Sequence, residues 1–553
     1  MKLNNLVISL FLCLSINTGF TQQNNIVDVY HLMEAKQYAK AIPILENLIK
    51  EENTANLNYK MGFCLFKLNK EIDAIPYFAT AIKNTSKKYK ADNMYETFAP
   101  KSSYYYFGKC QHVNGNLILA FEFYNKYYDI APKKDPLKQK ALAGIYQCEV
   151  ADELMKIKTD FVIWNLGDTL NTQNSEYRPV ISIDGSIVYF TTSRLRPDKT
   201  NAEIINPKTG SYYEDIYVSY RTKSGKWSDP DYLSFCKTTQ DEASVSMSLD
   251  GNEIFVYQGG NGNGDIYYSD LEDISFENLK PFPAKTLNTN SEETHATMSI
   301  DGQFIYFVSD RSGGYGGKDI YRIRKLPDGT WSKAMNLGPT INSEYDEESP
   351  FIGADNRTLY FSSNGTKSIG GYDIFVTQLN TIDQWSEPEN LGLPLNSFDD
   401  DLYYSTMANG FLGIYASDNK SGIGDFDVYF VQTTNSYYKN VTIFKGYIST
   451  QSNKKLPKGI SIHVKDLTEN SEAKIFKPRL RDGGYVLNLK PCHSYSIEYK
   501  LNGVSFYQTE NLVPCNSSYQ EIHEEIILDV INLKVVKPQI KNEKAAEKTI
   551  KKL

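Results

Sequence analysis

Residues 345–392 read YDEESPFIGADNRTLYFSSNGTKSIGGYDIFVTQLNTIDQWSEPENLG, and this stretch is one copy of a unit that recurs through the middle of the chain. The Asp-Ile-Tyr position of the unit falls at Asp215, Asp265, Asp319, Asp373 and Asp427, in steps of 50, 54, 54 and 54. A turn position recurs at Asp184, Asp250, Asp301, Asp355 and Asn409. Runs such as Ile187-Val188-Tyr189-Phe190 and Phe304-Ile305-Tyr306-Phe307 carry strand-forming residues, and Asp-Gly or Asn-Gly pairs mark hairpins that need φ > 0. Four short strands per unit make one blade of a β-propeller. Residues 161–167, FVIWNLG, copy the fourth-strand end Trp331…Asn336-Leu337-Gly338 but stand before the first full unit, and no such strand follows Val428-Tyr429-Phe430. The N-terminal strand is therefore expected to complete the last blade, which closes the ring and hides its edges. Five blades follow over residues 160–435, with six as the alternative.

The repeat resembles the PD40 or TolB-type β-propeller, whose units carry the same S-x-D-G-x-x-I-Y-F-x-S pattern. Upstream, residues 22–157 show helical periodicity: Tyr59, Gly62, Leu65, Leu68, Ala74, Tyr77, Phe78 and Ala81 recur at three- and four-residue steps. Small residues at Gly62 and Ala74, repeated at Gly108 and Ala120, resemble a tetratricopeptide array, with an insertion at about residues 87–100 and a last helix over 138–155. Downstream, residues 440–530 resemble a carboxypeptidase-regulatory-like β-sandwich, in that family a non-catalytic companion module. The predicted class is thus multidomain, helical repeats followed by all-β modules.

Composition narrows the function. The chain has 553 residues, 23% of them charged and 41% hydrophobic, with a net charge of −8, so bulk nucleic-acid binding is not expected. Residues 161–430 carry −19 of that charge. Acids gather just before each first strand: Glu176; Asp241 and Glu242; Glu292 and Glu293; Asp346, Glu347 and Glu348; Asp399, Asp400 and Asp401. First strands line a propeller's channel, so these acids are the candidate binding residues, an acidic ring at one mouth for a cation or a basic segment. The competing reading is that they cap turns and accept backbone N–H groups. No Gly-x-Ser-x-Gly or His-Glu-x-x-His motif occurs, so no catalytic residue, metal or cofactor is expected.

Residues 1–21 read as a secretory signal: Lys2, an apolar core from Leu6 to Ile16, then Gly19 and Thr21. Leu12 before Cys13 does not fit a lipid-attachment box, so a lipoprotein is not expected, and no other run is long enough to span a bilayer. Of the exported cysteines, Cys492 and Cys515 alone share a short segment and are the candidate disulfide, with two buried thiols as the alternative. Residues 531–553 hold seven Lys and two Glu and read as a basic flexible tail.

The order of modules resembles the OmpA-family proteins, PorE-type, of Gram-negative bacteria with type IX secretion and gliding. In that family an OmpA-like domain that grips peptidoglycan usually follows; the sequence stops where it would begin, so direct peptidoglycan binding is not expected. The resemblance implies a non-enzymatic scaffold in the periplasm or at the outer-membrane periphery, binding envelope proteins through the helical array and the propeller. The alternatives are a glycan- or peptide-sensing propeller and a hydrolase whose site is built across blades.

Overall fold

The computed structural model describes residues 25–543, apart from 94, 208, 223, 249, 260–263, 439–440, 452–454, 516–518 and 537–538. The expected signal segment and the last ten residues of the tail lie outside the described residues. The chain divides into two compact units, residues 1–157 with 366–370, and 158–365 with 371–553.

The first unit contains α1 (residues 25–34), α2 (Tyr38–Glu51), α3 (Ala55–Phe66), α4 (Glu71–Ala81), α5 (Ser103–Val113), α6 (Leu117–Ile130) and α7 (Pro136–Leu154). Local chemistry sets several of the ends. Thr54 caps α3 by accepting from Leu57 N at 3.2 Å. Asp135 caps α7 by accepting from Leu137 N at 3.0 Å, and Pro136 stands at the first turn, where its missing N–H costs nothing. From α2 onward, helices adjacent in sequence pack on one another. The close approach depends on glycine. A Cβ at Gly62 would lie 3.1 Å from the Phe78 ring, and one at Gly108 would lie 3.2 Å from the Tyr124 ring. At Gly144 the Tyr124 ring would be 2.6 Å away. Between α4 and α5 a short parallel pairing joins Thr85–Ser86 with Ala99–Pro100. Tyr124 is 1% exposed and has no room to retreat, so Gly144→Ala is expected to cost about 1–3 kcal/mol. Urea unfolding followed by far-UV dichroism would measure it.

In the second unit five antiparallel sheets follow one another in sequence. Their inner strands are Glu176–Ile181, Glu242–Met247, Glu293–Met298, Glu347–Ile352 and Asp401–Thr406. Each inner strand contacts the next, and the fifth contacts the first, so the sheets form a closed ring, a β-propeller. The fifth sheet runs Asp401–Thr406, Leu412–Ser417, Asp427–Gln432 and then Val162–Asn165. Register pairs Tyr429 with Asn165 and Phe430 with Trp164.

The strand ends are fastened by a repeated amide device. Asn342 accepts from Ile320 N at 2.8 Å and donates to Ile320 O at 2.9 Å. Asn396 does the same to Ile374, Asn288 to Ile266, and Asn171 to Val428. In the first blade Cys236 Sγ takes the N–H of Ile216 instead, at 3.4 Å.

The C-terminal module has two sheets. One holds Thr442–Thr450, Gly484–Leu489, Gln520–Asp529, Lys534–Val535 and Gln539–Glu543, so the expected flexible tail instead begins as two strands paired with Gln520–Asp529; the other holds Ile460–Asp466, Lys474–Phe476, Ser494–Leu501 and Val504–Leu512. Phe444, Ile462, Leu487, Ile497, Tyr499 and Ile526 fill the space between them. Cys492 and Cys515 form a disulfide. Cys64, Cys110, Cys148 and Cys236 are buried free thiols.

The sandwich and the propeller share apolar contacts. Val441, Ile443 and Val486 belong to one cluster with Ala354, Ala408 and Tyr438, against which Ile183 and Ile300 pack. A buried ion pair fixes the junction: Arg479 Nη1 and Nη2 lie 2.9 and 3.0 Å from Asp184 Oδ2. Among the described residues no helix is long and apolar enough to cross a membrane.

Candidate functional site: an axial pocket

The expected acidic ring is not one open ring, because the structure uses its members in two internal roles. Glu176, Glu242, Glu293 and Glu347 are 0–1% exposed, and Asp401 is 0% exposed. Each opens its inner strand and folds back on the loop before it. Glu293 accepts from Thr289 N and Oγ1 at 3.0 and 2.9 Å and from Ser309 Oγ at 2.8 Å. Glu347 accepts from Ser343 N and Oγ and from Ser363 Oγ, and Glu176 likewise uses Thr172 and Thr192. Asp401, one methylene shorter, accepts from Ser397 N at 2.6 Å. Arg194 and Arg311 add charge balance at Glu176 and Glu293, 3.1 and 2.9 Å away. Among the described residues Glu242 accepts from Lys237 N and the Gln258 amide, both at 3.2 Å, and burial pushes its carboxyl up to about 7.

In four of the five blades the acid just before the buried latch carboxylate serves the preceding blade. Asp241 accepts from Glu214 N at 3.0 Å, Asp346 from Lys318 N at 3.0 Å, and Asp400 from Tyr372 N at 2.9 Å. Glu292 accepts from Tyr257 Oη at 3.1 Å, and Asp399 lies 3.7 Å from Lys420 Nζ. Turn capping and backbone satisfaction thus account for most of these carboxylates. Glu348 is the exception, and it leads into the axis of the ring.

Two residues after each latch stand Arg178, Ser244, His295, Ser349 and Tyr403, and all five line an axial pocket. Every inner strand breaks register around this position, as a β-bulge does. Arg178, Ser349 and Tyr403 adopt φ of +50°, +54° and +64°, a left-handed conformation that non-glycine residues enter at a cost. Bulges re-aim side chains, and here they concentrate polar groups at the axis.

His295 Nδ1 lies 2.6 Å from Glu348 Oε2. Lys318 Nζ holds the other carboxylate oxygen at 2.8 Å, and Thr294 Oγ1 donates to the same group. Arg178 donates through Nη1 to Thr294 O at 3.3 Å, and its guanidinium lies 4.8 Å from the Tyr257 ring centroid. The Tyr403 ring is 5.2 Å from the imidazole. Burial, reinforced by Arg178, pushes His295 down to about 4. Burial opposes ionisation of Glu348, but the hydrogen bond from His295 and the ammonium of Lys318 outweigh it and hold the carboxyl below its ordinary range. The imidazole is thus neutral, with its proton on Nδ1 facing the carboxylate and a lone pair on Nε2.

The axial pocket reaches the contact between propeller and sandwich. Ile183, Ile300 and Ala354 line it and also belong to the contact with Val441, Ile443 and Val486 of the sandwich.

Acid should weaken this centre. The unfolded imidazole takes a proton below about pH 6.5, whereas the folded one resists protonation until about pH 4. Stability is therefore lost as pH falls through that window. Glu348, depressed in the fold, contributes stability above its unfolded value and loses it on further acidification. Between pH 7 and 4, His295→Gln is expected to flatten the fall in unfolding free energy by about 1–3 kcal/mol. Urea midpoints at a series of pH values would check this, and parallel curves for the two proteins would refute it.

Two further clusters gather possible ligand atoms, Asp215 with Cys236 and Glu242, and Asp466 with Glu469 and His493. In the first, Arg196 already occupies Asp215, with Nε and Nη2 at 2.7 and 2.6 Å. In the second, Lys490 Nζ occupies both oxygens of Glu469.

No family model matches the sequence, and no curated protein matches it. Solved structures similar to the chain include a putative TolB from Agrobacterium tumefaciens, at 14% identity and a TM-score of 0.30, covering 60% of this chain and 98% of that one. An endo-arabinase from Bacteroides thetaiotaomicron has the same identity and TM-score, covering 48% of this chain and 95% of its own. A prolyl endopeptidase reaches 9% identity and a TM-score of 0.28, covering 70% of this chain and 58% of its own. Likeness at this level says nothing about function, and the propeller rests on the strand order of the chain itself.

Proposed function

We propose that this protein is a non-enzymatic scaffold of the cell envelope, held in the periplasm or at the periphery of the outer membrane, similar to PorE-type proteins. In this reading the tetratricopeptide-like array and the propeller are its binding surfaces, and the regulatory-like sandwich stiffens the propeller. One observation supports it most: α6 exposes Ile118 at 83% and Phe121 at 40%, one helical turn apart. Adjacent apolar side chains left in water on a repeat helix are what a protein partner covers. The test is crosslinking and pulldown from the native envelope, comparing the full chain, a chain lacking residues 22–155, and Ile118→Glu/Phe121→Glu. The reading expects the same envelope proteins to be lost from both variants. Retention of every partner by the deletion would exclude the helical array as the binding surface.

A second reading, a propeller that senses a small ligand, is favoured by the axial pocket.

A further inference from the structure

Propeller and sandwich meet through the cluster around Tyr438 and part beside it. Between the second and third blades and the sandwich strand Lys474–Phe476 lies a cleft of about 560 Å³, a volume in the range of ligand sites. Two contacts hold its walls in place. Asn252 Nδ2 donates to Lys477 O at 3.4 Å, and Lys458 pairs with Asp273.

The blade side of the cleft is acidic. Asp250, Glu253, Asp270 and Glu272 line it, and Lys477 is the one cation among the described lining residues. Asp250 is engaged in its own turn, accepting from Ser248 Oγ at 2.7 Å and from Asn252 N at 3.1 Å. Lys280 matches Asp270 at 2.8 Å. Glu253 and Glu272 are left without an ion pair among the described residues. Burial and the like charges of Asp250 and Asp270 push the Glu253 carboxyl up, against a smaller pull from Lys325. The negative charge of the cleft is therefore not balanced in place.

The sandwich side offers backbone and apolar surface. Lys474–Phe476 is the outermost strand of its sheet: Ile460–Asp466 covers one side, and among the described residues no strand covers the other. Ile475 is 61% exposed there, and Leu271, Met298 and Phe476 line the same cleft. An open sheet edge is a template for an extended chain.

We infer that this cleft receives an extended, basic segment of a partner protein, which adds a strand to the open edge of Lys474–Phe476. The inference rests on the scaffold reading and extends it to a second surface, separate from the helical array. Successive side chains of an extended segment point opposite ways, so one set meets Glu253 and Glu272 as cations while the other covers Ile475 and Met298. A single metal ion does not suit the site. Among the described residues no three of these carboxylates bring ligand atoms within 4.8 Å of one another. Charge spread along a cleft matches charge spread along a chain, and it repels nucleic acid and anionic lipid.

The test uses the full chain and short fluorescein-labelled peptides, alternating lysine with valine or glutamate with valine, followed by fluorescence anisotropy. In about 50 mM salt the lysine peptide is expected to bind saturably and the glutamate peptide not to; in about 0.5 M salt the binding should weaken several-fold. Glu253→Gln/Glu272→Gln and Ile475→Lys are each expected to weaken it about tenfold. Ile475→Lys alters a side chain already in water, and keeps the test sound if the glutamate pair folds poorly. Glu46→Gln/Glu51→Gln makes the same change of charge on α2 and should leave binding unchanged. Ile118→Glu/Phe121→Glu should also leave it unchanged, so failure of the helical array as a partner surface would not touch this result. No binding of the lysine peptide overturns the inference. So does binding that neither variant weakens, and so does equal displacement by spermidine. A gain in affinity on removing residues 544–553 would give the cleft to the chain's own basic tail, and overturns it too.

Discussion

Arg479→Met should destabilise the second unit by about 3–5 kcal/mol, the largest effect expected from one side chain here. The guanidinium and its partner Asp184 are each 6% exposed. Asp184 also accepts from Ser182 Oγ and Ser186 Oγ at 2.6 Å, so it cannot turn out to water without abandoning those bonds. Burial works against the carboxylate, but Arg479 outweighs it and holds the group down to about 2. Without Arg479 the carboxylate is left charged and buried, and desolvation is no longer repaid. Asp184→Asn in the Arg479→Met background should recover much of the loss, because it removes the stranded charge while keeping the turn's hydrogen bonds. The pH dependence has a definite sign. Asp184 is depressed in the fold, so its contribution is present above about pH 4 and disappears as pH falls toward 2. Guanidinium unfolding of the two single variants, the double variant and the parent forms a complete cycle. Additive single-variant losses would show that the two residues do not act as a pair.

Trp164→Pro should open the propeller. Leu166 N donates to Val428 O at 3.1 Å. Antiparallel alternation then puts Trp164, opposite Phe430, in the hydrogen-bonded phase. Proline there deletes the N–H and breaks the short strand that covers the edge of Asp427–Gln432. The cost is about 3 kcal/mol or more, with a second consequence beyond stability. An uncovered strand edge recruits other chains. The variant is therefore expected to elute partly as oligomers in size-exclusion chromatography, and to unfold with lower cooperativity. Trp164→Val keeps the N–H and a β-branched side chain and should remain monodisperse like the parent. A monodisperse Trp164→Pro with unchanged melting would mean that the ring does not depend on this closure.

The ring itself was legible because its framework repeats. The carboxylate at Glu176, Glu242, Glu293, Glu347 and Asp401 stands eight residues before the turn position in every unit. That regularity exposed the acids, and it also made them look like a site. A role repeated in every blade is more often the role that every blade shares, which here is holding its own loop. The axial residues were hidden for the opposite reason. Two positions on, the units read Arg178, Ser244, His295, Ser349 and Tyr403, with no common chemistry. A position that varies inside an otherwise constant unit, on the strand nearest the axis, is the signal that would have found them. The contact of His295 with Glu348 joins adjacent blades, 53 positions apart in the chain, and no local spacing encodes it. The amide device at Asn171, Asn288, Asn342 and Asn396 was readable in Asn-Leu-Gly-x-x-x-Asn, which appears intact at 165–171, 336–342 and 390–396. The junction through Arg479 was not, because it joins two modules that periodicity treats separately.

Completion of the last blade by Val162–Asn165 also sets a schedule. Asn165 and its partner Asp427 are separated by 262 residues. A ribosome adding roughly 5–20 residues per second delivers the second tens of seconds after the first. Throughout that interval the early strand has no mate, and four finished blades cannot become a circle. Closure of the ring therefore waits until almost four-fifths of the chain has been made.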